Sequence, residues 1–113
     1  MATAPPPSQE ALLARIRGLL PPGRPVREVS MFGGRAVMLE DAMLVSAGRD
    51  GSLLVRVEPA RHAELLTRDG ARQAVMGTER TMGEGWIEVE PRVLVEDIAL
   101  GRWLQDALEF HDR

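Results

Sequence analysis

Leu12, Leu13, Ile16, Leu19 and Leu20 recur at the spacing of one helical face, with Glu10, Arg15 and Arg17 on the opposite side. Ser8 stands where an N-cap is expected. Pro21-Pro22-Gly23 ends the pattern, because proline lacks an amide hydrogen and crowds the preceding turn. The rhythm then changes. Val26 and Val29 lead into Met31 and Phe32 as an extended approach to Gly33-Gly34, and glycines inside a strand pattern mark a bulge or a close approach of another backbone; here they predict a bulge. Three strands follow: Ala36 to Leu39, Ala42 to Ala47 beyond a tight Glu40-Asp41 turn, and Ser52 to Val57 beyond Arg49-Asp50-Gly51, the last link carrying the Asp-Gly hairpin signal.

Parity along this meander carries information. A two-residue loop at Glu40-Asp41 sets Leu39 opposite Ala42 and Val37 opposite Leu44, leaving Ala36, Met38, Met43 and Val45 on the other face. Both faces are then apolar, whereas a sheet with one wet face alternates with polar residues. The second face is expected to be covered by a helix or a second subunit, and a homodimer is one expectation.

Pro59 opens a second helix carrying Ala60, Ala63, Leu65 and Leu66, closed by Asp69-Gly70. Glycines break the periodicity over 71–85, where one strand is expected from Ala74 to Thr78 and a firmer one from Trp86 to Val89. Asp97 is the expected N-cap of a last helix whose apolar side is Ile98, Leu100, Trp103, Leu104, Ala107 and Leu108. Gly101 within it suggests close helix–sheet packing. The order is α-β-β-β-α-β-β-α: an α+β domain with a mainly antiparallel five-stranded sheet and helices packed on it. Residues 1–7, with three prolines and nothing to bury, read as a disordered tail before a single domain over 8–113.

Composition narrows the function classes. A net charge of −3 and a pI near 5.4 give no overall basic field for phosphate. Cysteine is absent, which removes disulfides and thiolate metal sites. All fourteen basic residues are arginine, so lysine nucleophile chemistry is excluded. The start lacks a basic segment followed by an apolar core, and no apolar run reaches the roughly 20 residues of a membrane helix. No membrane partner is expected and a cytoplasmic location is.

Candidate chemistry is sparse. His62 reads as lying on the solvated side of the second helix and His111 near a fraying end, neither with a partner at ligand spacing. Glu84, Glu88, Glu90, Glu96 and Asp97 read as a solvated strand edge rather than paired acid–base or metal groups. Met31, Met38, Met43, Met76 and Met82 read as core filling, with a soft, adaptable pocket as the alternative. No catalytic, cofactor or metal set follows from these residues.

Met31-Phe32-Gly33-Gly34, the meander with Met43 and Asp50-Gly51, the strand Leu53-Leu54-Val55-Arg56-Val57, and later Met82, the Trp86-to-Pro91 strand and Leu100-x-x-Trp103-x-x-x-Ala107-Leu108 together resemble the TfoX N-terminal domain family (TfoX/Sxy competence regulators). The resemblance spans about residues 9–110. It implies an α-β(3)-α-β(2)-α fold akin to secretion-chaperone-like domains, and a non-enzymatic regulatory or protein-interaction module without the helical C-terminal domain of full-length competence regulators. Met31, Phe32, Gly33, Gly34, Arg35, Arg27 and Arg56 are the family motif and candidate interaction surface. The alternatives are nucleic-acid binding through an arginine patch at Arg27, Arg35 and Arg56, and a small-molecule pocket or enzyme built from Met31 and Phe32 with Glu88 or His62.

Overall fold

The computed structural model describes residues 7–31, 33–76 and 80–113. Residues 1–6 of the expected 1–7 tail lie outside the described residues, and helix α1 (Pro7–Leu19) already includes Pro7. Proline suits a first helical position, where its missing amide hydrogen would have no helical partner. Ser8 therefore lies inside the first turn and is not the N-cap; its hydroxyl donates to the Arg49 carbonyl at 3.0 Å. Leu13 and Ile16 of α1 are fully buried, as the helical spacing requires.

The strands are β1 (Val26–Met31), β2 (Gly34–Leu39), β3 (Ala42–Ala47), β4 (Leu53–Arg56), β5 (Ala71–Gln73), β6 (Val75–Met76), β7 (Arg80–Thr81) and β8 (Trp86–Val89). Six form one sheet in the order β1-β2-β3-β4-β8-β5, with antiparallel neighbours throughout, and β6 pairs with β7 alone. The extended approach before the glycines is thus a full edge strand, and the main sheet has six strands rather than five. Met31 pairs with Gly34, and Gly33 lies in the turn between the two strands. Gly33 has φ +78°, a left-handed value that glycine adopts freely. The double glycine is a hairpin turn and not a bulge.

The bulge lies one strand further on. Leu39 faces Ala42 and Met38 faces Met43, but Val37 faces Val45, so Leu44 is the extra residue. Leu44 and Val45 are consequently both buried in the helix-side core, correcting the expected placement of Val45 on the other face. The Glu40-Asp41 turn holds both residues at positive φ, +51° and +68°, the geometry that matches strand twist in a two-residue hairpin.

The second helix is short: a 3-10 turn over Pro59–Arg61 and α2 (His62–Leu65), closing toward Gly70 at φ +81°. The chain joins the sheet sooner than expected, at 71–73, and residues 77–78 of the expected 74–78 strand lie outside the described residues. After the strand β8 and a 3-10 turn over Pro91–Val93, helix α3 (Asp97–His111) crosses β3 and β4 beside α1. Asp97 is in the first turn rather than capping it, and its carboxylate accepts from Arg15 at 2.9 Å. Ile98 is 79% exposed, so the apolar side of α3 begins at Leu100. A Cβ on Gly101 would meet nothing within 4 Å, so this glycine does not mark close packing.

Candidate functional site

Strand alternation divides the sheet. Leu53 and Val55 are fully buried toward the helices, so Leu54 between them points to the opposite face. Leu54 pairs with Ser46 on one side and Glu88 on the other, and Ser46 pairs with Ala36, all on that second face. Among the described residues, no helix covers it there. The β6–β7 pair projects over it, and between hairpin and sheet runs a cleft of about 620 Å³, a size suited to ligand or side-chain insertion.

Met31, Met43, Leu54, Val75, Met76 and Met82 supply its apolar wall. Four of the five methionines read as core filling therefore line a cleft. Unbranched, polarisable thioethers give such a wall the adaptability to take differently shaped partners. Val75 and Met76 are 56% and 49% exposed, carrying the apolar surface out beyond the cleft.

The polar end comes from the β3–β4 turn. Gly48, Arg49, Asp50 and Ser52 line it, with Ser46 and Glu88 on the floor. Two of the acids are already occupied. The Ser52 hydroxyl and its backbone N–H, the latter at 3.0 Å, lower the Asp50 pKa below the usual carboxylate range. Glu88 accepts from Arg72 at 2.7 Å. The strand β8 lies inside the sheet between β4 and β5, so Glu88 does not belong to the expected solvated edge.

The motif contributes at the other end. Met31, Gly33 and Gly34 line the cleft, while Phe32 lies outside the described residues. A Cβ on Gly34 would come within 2.8 Å of Ser46 Oγ and 3.2 Å of the Ala47 carbonyl oxygen. Glycine is thus needed for the close approach of β2 to β3.

Arg27, Arg35 and Arg56 do not converge. Arg27 is exposed on β1 and meets Asp41 at 3.3 Å. Arg35 is opposite Ala47 on the helix side and donates to the Ser30 hydroxyl at 3.0 Å. Arg56 stacks between two rings, 5.5 Å from the Trp86 centroid and 5.1 Å from Phe110. A smaller hollow with Met43, Phe110 and His111 adjoins Arg56; Met43 belongs to both hollows.

Both histidines are more constrained than expected. His62 is buried: Nδ1 accepts from the Gly85 N–H at 2.9 Å, and Nε2 lies 2.8 Å from the Gln73 side-chain oxygen. That pattern assigns the proton to Nε2. His111 lies 3.1 Å from Glu40. Glu40, His111 and Asp112 bring ligand atoms within 4.8 Å of one another. The Arg24 guanidinium binds both carboxylates, at 2.7 Å for Asp112. It lowers both carboxyl pKa values, and they in turn push that of Arg24 up. The position a metal cation would take is filled by this arginine, and the cluster latches the end of α3 to the β2–β3 turn.

Sequence reasoning missed a second polar cluster. Asp106, buried on α3, accepts from Arg61 at 3.0 Å and Arg68 at 2.6 Å, and Arg68 lies 4.6 Å over the Trp103 ring. Arg61 and Arg68 flank α2, so Asp106 ties that segment to the helix layer.

Among the described residues, neither histidine is hydrogen-bonded to a hydroxyl nucleophile, and no helix is long and apolar enough to cross a membrane. The arrangement is an α+β domain with an adaptable apolar cleft on the helix-free side of its sheet. Residues 18–111 match the family model of the TfoX N-terminal domain, and the chain belongs to that family, which is not known as an enzyme family. No curated protein and no solved structure matches it.

Proposed function

We propose that the chain is a non-enzymatic regulatory module of the competence-regulator type, acting by binding a protein partner through the methionine-lined face of its sheet. The observation that carries this reading is that cleft: half-buried Met31, Met43, Met82 and Leu54 with exposed Val75 and Met76, on one face of the sheet. Methionine and aromatic residues are enriched at interfaces, and contiguous exposed apolar surface marks interaction sites. The hairpin of Met31, Gly33 and Gly34 forms one rim, which gives the family motif a place in the contact.

Affinity capture from a bacterial cytoplasmic extract tests it, comparing the wild-type chain with Leu54→Asp and with Ile98→Asp on the exposed helix side. A partner retained by wild type and Ile98→Asp but lost by Leu54→Asp is expected, provided all three melt at similar temperatures. Retention by folded Leu54→Asp would overturn the reading.

A further inference from the structure

The charges around the cleft specify the chemistry of its occupant, an inference that rests on the cleft being the contact surface. Its two carboxylates are internally satisfied, Asp50 by Ser52 and Glu88 by Arg72. Two cations beside it are not. Arg49 lines the polar end of the cleft, Arg56, on the same strand face as Leu54, lines the adjoining hollow that shares Met43 with the cleft, and among the described residues neither meets a carboxylate. The guanidinium of Arg56 is instead held by Trp86 and Phe110, which orient it without neutralising it.

Arg49 sits in the turn before β4 and Arg56 ends that strand, with Leu54 between them. The Gly48–Ser52 backbone hydrogen bond closes the turn and sets Arg49 level with Gly51. That is about five residues from Arg56 along the strand, or roughly 16 Å between backbone positions at 3.3 Å per residue, a span that two long arginine side chains can match to carboxylates four residues apart. In an extended segment, side chains i, i+2 and i+4 project to one side. We propose that the cleft binds an extended segment of a partner protein with carboxylates at i and i+4 and an apolar side chain at i+2. The carboxylates meet Arg49 and Arg56, and the apolar side chain enters the methionine-lined space over Leu54.

The test uses a synthetic capped peptide containing Glu-Ala-Leu-Ala-Glu, its Gln-Ala-Leu-Ala-Gln counterpart, and the full chain. Anisotropy of a labelled peptide reports on binding. The acidic peptide should bind at least tenfold tighter than the neutral one, with a preference that shrinks as salt rises. Arg49→Gln with Arg56→Gln should abolish that preference, whereas Arg56→Lys should keep it. Equal binding of both peptides, a preference surviving the double substitution, or no binding at millimolar peptide would overturn the proposal. A dimer in sedimentation that Leu54→Asp dissociates would also overturn it, assigning the cleft to a second copy. Should the peptides fail while extract capture stays sensitive to Leu54→Asp, the charge assignment falls and the cleft reading stands.

Discussion

Removing the Asp106 carboxylate should loosen the α2 segment from the helix layer. Asp106→Ala deletes the shared acceptor of Arg61 and Arg68, which lie at 3.0 and 2.6 Å. Hydrogen bonds to charged groups contribute about 1.5–3 kcal/mol each, and breaking a fully buried ion pair costs about 3–5 kcal/mol. The two guanidiniums are 32% and 28% exposed, so they recover hydration once released. That recovery brings the loss to about 2–3 kcal/mol. Alanine returns roughly 0.5 kcal/mol through better helix propensity. The expected net loss is about 2 kcal/mol, or roughly 8 °C in melting temperature for a chain of this length. Urea and thermal unfolding followed by circular dichroism measure it, and Asp106→Asn, which keeps one acceptor oxygen, should lose less. A change under 0.5 kcal/mol in Asp106→Ala would refute the view that this carboxylate anchors α2.

Three further outcomes follow from particular contacts. Gly101→Ala should stabilise by about 1 kcal/mol, because the site is helical and a Cβ there meets open space; a destabilised variant would contradict this. Gly34→Ala should destabilise by about 1–3 kcal/mol, since its methyl must displace Ser46 Oγ and press on the Ala47 carbonyl; unchanged unfolding would show that β2 and β3 can separate without cost. Acid should weaken the fold. Glu40, Asp50, Asp69 and Asp112 all have folded pKa values lowered by hydrogen bonds to the charged form. Their contribution is therefore present above the ordinary carboxylate range and lost as pH falls through the lowered values, below about pH 4. Denaturation midpoints from pH 7 to 2 test this, and Asp50→Asn should flatten the dependence. Stability constant down to pH 2 would contradict it.

The elements that periodicity could reveal were legible in the chain. Helix α1 shows a full helical stripe, and the Glu40-Asp41 and Asp50-Gly51 turns fix the meander. What escaped depends on partners distant in sequence. The bulge at Leu44 leaves no mark, because Met43, Leu44 and Val45 are all apolar and any register looks acceptable. One extra residue then moves Val45 to the core and leaves Ser46 on the cleft floor. The methionines carry the same ambiguity, since an apolar residue facing a cleft and one facing a core read alike. Their position became evident only when β6 and β7 were placed over the sheet. His62 and Asp106 were missed because Gly85, Gln73, Arg61 and Arg68 reach them through the fold, not through a spacing.

The central claim is that the helix-free face of the sheet is the working surface. Methyl-labelled methionine, with isoleucine labelled as reference, allows a direct measurement by NMR titration with the acidic peptide. The account predicts saturable shifts in the methyl signals of Met31, Met43, Met76 and Met82, with Ile98 on the helix side unmoved. Shifts at Ile98 with the four cleft methionines silent would contradict it.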